Sequence, residues 1–179
     1  MKVFKINKLP ESSLITRDIK GDVDYIDSYM VRVEIPDDIS IDYLTAIAFT
    51  FNPGWVDSLL KIRDICVKPF CLKAGHPPSE KTTFDKKVYF KKGEKAVMFT
   101  VSDRSENEIV MSENDKHLYF RTSILMEKDR DGFYKIYSNT LVQFHNKLGK
   151  AYFIPVKPFH KLIIRVMLKN LAKKLLKKL

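Results

Sequence analysis

DKHLYFRTSILMEK (residues 115–128), DRDG (129–132) and FYKIYSNTLVQFHN (133–146) read together as two long antiparallel strands joined by a tight turn. Aromatic and β-branched residues dominate both runs, and the Asp, Arg and Gly between them supply turn chemistry. Two more strand candidates precede the hairpin, KAVMFTVSDR (95–104) and NEIVMSEN (107–114). A meander of this kind leaves one apolar sheet face that something must cover. The chain ends on PFHKLIIRVMLKNLAKKLLKKL (158–179), which is long enough to lie across a sheet as one helix. Pro158 and Phe159 open it, with Pro158 near the first helical position, where a missing N–H costs nothing.

Upstream, DYIDSYMVRVEIP (24–36) alternates, with Tyr29, Val31, Val33 and Ile35 on one side, and Pro36 ends it. Ser40 is positioned as the N-cap of a helix through IDYLTAIAFTF (41–51). After a break at NPG (52–54), Trp55, Leu59, Ile62 and Cys66 recur at helical spacing in WVDSLLKIRDICVKPF (55–70). AGHPPSEKTTFDKK (74–87) reads as a polar surface loop. The expected class is α+β: a curved antiparallel sheet gripping a long C-terminal helix, with two short helices after the first strand. A straight helix and a curved sheet touch along only part of their length, which leaves room for a mostly apolar pocket.

The chain has 179 residues, 45% of them hydrophobic and 30% charged, which suits one folded domain. No apolar run approaches the roughly 18 residues of a membrane span, and MKVFKINKLPESSL lacks the apolar core of a signal peptide. The expected location is the cytoplasm, with Cys66 and Cys71 as reduced thiols and neither a metal site nor a cofactor. The net charge of +10 is unevenly placed. From residue 147 onward there are ten basic residues and no acidic one, which leaves 22 basic against 22 acidic residues in the body.

NDKHLYFRTSI, followed by HNKLGKAYFIPVKPFHKLIIRVML and preceded by NPGWVDSLLKIRD, resembles the bacterial Domain of Unknown Function 2867 family over roughly residues 23–168. That family is similar to the helix-grip (SRPBCC) superfamily of START lipid-binding domains, aromatase/cyclases and the birch-pollen allergen. The resemblance implies the fold and implies little about activity, since such domains bind, cyclise, hydrolyse or carry apolar ligands. Some relatives carry the domain behind a dehydrogenase-like NAD-binding domain, and this chain has no Gly-rich phosphate loop for one. A single domain over 1–168 is expected, with 169–179 as a basic amphipathic end of the last helix.

In a strand, Asp115, His117, Tyr119 and Arg121 would share one face and Leu118, Phe120 and Thr122 the other. Leu118, Phe120 and Ile124 are the better core material, which turns the polar row to solvent. With the opposite sense, Asp115, His117 and Arg121 would form an acid–base row able to shuttle a proton and hold an oxyanion. Asn146, beside His145 and Gly149, fixes a turn or lines the pocket. Trp55, Arg63, Phe120, Phe159, His160, Ile163 and Met167 complete the candidate ligand-binding set. No nucleophile elbow, zinc-protease motif or P-loop is present.

The final helix carries two stripes. Phe159, Leu162, Ile163, Val166 and Met167 form one, opposite Lys157, Lys161 and Arg165, and they are the expected core face. Ile164, Leu168, Leu171, Leu175 and Leu179 form a second stripe, turned about half-way round the axis. The helix therefore bends, or its last turns project, with Leu171, Lys173, Lys174, Leu175, Lys177 and Lys178 meeting something outside. A solvated cap, a homodimer and an anionic membrane surface all fit. Nucleic acid is disfavoured, because no aromatic or Arg side chain lies among those lysines. The leading functional expectation is an apolar or amphipathic small molecule bound between sheet and helix. A cyclase or isomerase in the same cavity, or a lipid binder docking through its basic tail, are the alternatives.

Overall fold

A computed structural model describes residues 1–35, 39–50, 85–97, 99–130 and 132–176. Its elements are β1 (Val3–Ile6), a 3-10 turn (Leu14–Thr16), β2 (Tyr25–Glu34), α1 (Ile41–Thr50), β3 (Lys95–Ala96), β4 (Phe99–Arg104), β5 (Glu108–Asn114), β6 (Leu118–Lys128), β7 (Phe133–Phe144) and α2 (Lys147–Leu176). The strands form one antiparallel sheet in the order β1-β2-β7-β6-β5-β4-β3. With α2 laid across one face, this is an α+β helix-grip fold.

The central hairpin pairs Leu118 with Phe144 through to Lys128 with Tyr134, and Gly132 takes the left-handed backbone its turn requires (φ +76°). One expectation changes at the sheet edge. Residues 95–104 are two strands, because the chain reverses after Ala96 and Lys95 pairs back onto Thr100. Val97 holds φ +63° there, so a β-branched residue takes the turn position and nothing in the composition announces it.

The pleat divides the sheet residues between two cores. On the inner face, Tyr29, Val31 and Val33 of β2, Ile109 and Met111 of β5, Ile124 of β6 and Ile136 of β7 pack with α1 and with the second half of α2. On the outer face, Val110 and Leu141 pack with Ile15 and with half-buried Leu9, Leu14, Ile19 and Val23. Residues 9–23 are thus a strap over the back of the sheet, and buried Glu108 ties it down. The Glu108 carboxylate accepts from Ser13 Oγ at 2.7 Å and from the Leu14 N–H at 2.5 Å.

Ser40 caps α1 as expected, its Oγ accepting the Tyr43 N–H at 3.2 Å. The helix is buried from Ile41 through Phe49. The Asp42 carboxylate on α1 accepts from both terminal guanidinium nitrogens of Arg104, each at 3.1 Å, which fastens α1 to β4. The expected helix at 55–70, with Trp55, Arg63 and Cys66, lies outside the described residues, as do Cys71, residues 74–84 of the expected loop, Lys177 and Lys178.

Helix α2 departs most from expectation. It starts at Lys147, eleven residues before Pro158, and runs through both Pro155 and Pro158. Asn146 is its cap, accepting the Gly149 N–H at 3.0 Å and donating through Nδ2 to Lys116 O at 2.9 Å. Gly149 permits a close approach rather than a turn, since a Cβ there would strike the carbonyl of His117. Both prolines lie toward the solvent side, where the carbonyls left without an N–H partner can be met by water. The two stripes exist, and the second is the main core face, with Met167 of the first buried beside it and Ile163 and Val166 half-buried. Ile164, Leu168, Leu171 and Leu175 are buried against the sheet, whereas Phe159 and Leu162 face water. The helix continues unbroken past residue 168 to Leu176, and Leu171 and Leu175 are buried core residues rather than contacts for a partner.

Candidate functional site

The inner face is apolar at both ends and polar between them. Toward the start of α2, Leu118, Val142 and Phe153 form an apolar cluster with Tyr25, Phe120, Phe144 and Tyr152. Toward its end lies the main core. A polar rung separates the two. Asp27 of β2 pairs in register with Thr140 of β7, and Thr140 pairs with Thr122 of β6. All three are buried, at 4%, 0% and 1% exposure. The next rung sets Tyr29 beside Ser138.

His160 comes down onto this rung from α2. Its Nε2 lies 3.1 Å from Thr140 Oγ1 and 3.6 Å from Asp27 Oδ1. Tyr25 donates its hydroxyl to Asp27 Oδ2 at 2.5 Å. The imidazole is framed edge-on by the rings of Phe120 at 6.2 Å and Tyr25 at 6.5 Å. The Arg165 guanidinium sits over the ring of Tyr29 at 5.3 Å, and Lys157 over that of Tyr25 at 4.8 Å.

Burial pushes the Asp27 carboxyl up, but the hydrogen bonds and charge of His160, together with Tyr25 and Thr140, outweigh it and hold the group below its ordinary 3.8. Burial and the Asp27 charge drive the Tyr25 phenol far above its ordinary 10.0, so Tyr25 remains a donor. Tyr29 is raised for the same two reasons, burial first, against the opposing charge of Arg165. Two buried hydroxyls on the Tyr29–Ser138 rung, Tyr29 Oη and Ser138 Oγ, have no hydrogen-bond partner within 3.5 Å, and Asp27 Oδ1 has only the His160 imidazole, at 3.6 Å. Unsatisfied polar atoms in an apolar interior are costly, so these two hydroxyls beside an under-satisfied carboxylate mark a place that water or a ligand group would satisfy. An imidazole beside a carboxylate can also move a proton.

The expected site residues divide. His160, Phe120 and Met167 lie on the inner side, and Ile163 is half-buried beside it. Phe159 is exposed on the outer side of α2, and Asn146 serves as the helix cap. The acid–base row does not form, because β6 begins at Leu118 and not at Asp115. Asp115 Oδ1 instead closes the β5–β6 turn by accepting the N–H groups of His117 (2.6 Å) and Leu118 (2.9 Å). His117 packs at that turn with Nδ1 3.3 Å from Asn146 Oδ1. Arg121 points to the opposite face and donates to Arg17 O of the strap at 2.6 Å.

Sequence reasoning missed Tyr25, Asp27, Thr140 and Ser138. The signal was present: the inward parity of Tyr29, Val31 and Val33, carried back one step, lands on Asp27. A surface depression near 390 Å³, lined by Ser12, Ser105, Asn107, Leu125, Met126, Glu127 and Lys128, touches none of these residues. Among the described residues, no three His, Cys, Asp or Glu side chains gather as metal ligands would.

A family model described as "Protein of unknown function (DUF2867)" matches residues 19–167. No curated protein matches the chain. Among solved structures, one titled "Crystal structure of Ara h 8.0201" aligns with 83% of this chain and 99% of its own, at 10% identity and a TM-score of 0.34.

Proposed function

The chain belongs to the DUF2867 family of proteins of unknown function, and from the layered interior of its grip we propose that it binds an amphipathic small molecule without covalent chemistry. One observation carries this reading: two unsatisfied buried hydroxyls and a carboxylate–imidazole pair lie between two apolar clusters. Ligand sites combine mostly apolar walls with a few convergent polar groups, and this is such an arrangement. Asp27, held as a carboxylate, accepts a hydrogen bond, whereas Tyr29 and Ser138 can each donate or accept. A ligand hydroxyl or protonated amine satisfies that set, and a ligand carboxylate would be repelled by Asp27. The apolar remainder of the ligand would lie along Phe120, Phe153 and Met167.

Native mass spectrometry of the full-length protein, purified without denaturation, tests this. A noncovalent adduct of small-molecule mass is expected, retained in the wild type and reduced in Thr140→Val, which keeps the shape of the rung and removes a hydroxyl. A chain that carries no adduct, and shows no saturable binding of the uncharged probe Nile red, would be filled inside and would end this reading.

A further inference from the structure

The outer side of α2 is the surface that the fold leaves unexplained. Over its first four turns a line of apolar residues faces solvent: Leu148 at 52% exposure, Ile154 at 67%, Phe159 at 38% and Leu162 at 46%, with Ala151 and both prolines among them. Isolated exposed hydrophobes are ordinary, but a line of them along one helix face marks an interaction surface. Exposed Lys147, Lys150, Lys157 and Arg165 border that line, and Lys169 and Lys173 continue it.

We infer that this face is an interfacial docking surface for an anionic lipid membrane. Charge decides the occupant. The helix from residue 147 onward has no acidic side chain, while the rest of the chain is balanced. A second copy packed face to face would bring two wholly basic helices together, so self-association is opposed. A sheet of anionic headgroups supplies the opposite charge across the whole border, and the acyl boundary takes the apolar line between. The prolines favour a wet partner as well. The carbonyls of Ala151 and Ile154 face Pro155 and Pro158 four residues on, which have no N–H to donate, so these acceptors need water. Headgroup-level hydration provides it, whereas a dry protein interface would not. Among the described residues no helix is long and apolar enough to cross a bilayer, so the attachment lies along the surface. The inference stands apart from the ligand in the grip, and it moves the membrane contact from the basic tail to the first half of the helix.

Co-sedimentation of the full-length protein with vesicles tests it. Vesicles of phosphatidylcholine with about 30% phosphatidylglycerol should bind it, pure phosphatidylcholine should bind it about tenfold less, and salt should weaken the binding. Ile154→Gln with Leu162→Gln, both at exposed positions, should lower affinity for the anionic vesicles about tenfold with circular dichroism unchanged. Should that double variant destabilise the fold, Leu148→Gln alone is read the same way. Failure of the wild type to bind anionic vesicles overturns the inference, and so does binding that the glutamines leave untouched. A wild-type dimer in sedimentation velocity that the double variant dissolves would also overturn it, by assigning the face to a second copy.

Discussion

Asp27 occupies a position where strand alternation would place a hydrophobe, and its consequences can be read through pH. Its folded pKa lies below the ordinary 3.8: burial works against the charged form, but His160, Tyr25 and Thr140 together favour it more. The group therefore contributes stability that is fully present above the unfolded value and is lost as pH falls through the lower folded one. Asp27→Asn should be less stable than wild type near neutrality, with the gap closing as pH drops below about 4. Urea denaturation between neutral pH and about pH 3 checks this, and parallel curves for the two proteins at every pH would refute it. The same residue shows what was legible at this scale. Inward parity could be counted back from Val31 to Asp27, so half of the site was open to arithmetic. The Asp115 and His117 row was not, because the start of β6 depends on whether Asp115 spends its carboxylate on a turn, and a strand pattern does not record that.

At the scale of the element, α2 shows what periodicity can and cannot decide. Two stripes are visible in the sequence, and both are apolar, so spacing alone does not say which one meets the sheet. The first turn decides. Gly149 must lie against the backbone of His117, and Phe153 must enter the cluster with Leu118 and Val142. From these two residues a single line continues through His160 and Ile164 to Leu168, Leu171 and Leu175. Starting the helix at Pro158 removes its first three turns from view and hides that line. The assignment has a direct consequence. Leu171→Ala should cost about 2–5 kcal/mol, as a fully buried leucine does, whereas neighbouring Lys173→Ala, on the exposed side, should change stability by less than about 0.5 kcal/mol. If thermal or urea unfolding gave the two variants similar stabilities, the tail would not be part of the core.

For the molecule as a whole, both sides of the sheet are closed, and by different means. Among the described residues, the inner side is covered by α1, α2 and a large apolar core, and the outer side by a short strap that contributes one fully buried hydrophobe, Ile15. So small an apolar contact cannot hold residues 9–23 by burial alone, and the polar fastening carries much of the load. Glu108 accepts two hydrogen bonds at the start of the 3-10 turn, Arg121 donates to Arg17 O, and Asn139 Nδ2 reaches Ser13 Oγ at 3.4 Å and Ser123 Oγ at 3.1 Å. Hydrogen bonds to charged groups contribute about 1.5–3 kcal/mol each when buried. Glu108→Gln keeps the shape, removes the charge and turns an N–H toward one of the two donors. The strap should then open more often while the grip beneath it stays folded. Trypsin cleavage after Arg17 and Lys20 is expected to rise about tenfold, in proportion to the population of the open form, with the main unfolding transition shifted only slightly. Unchanged cleavage would mean that Ile15 and its neighbours hold the strap unaided; a collapse of the whole transition would mean that the strap and the grip fold as one cooperative unit.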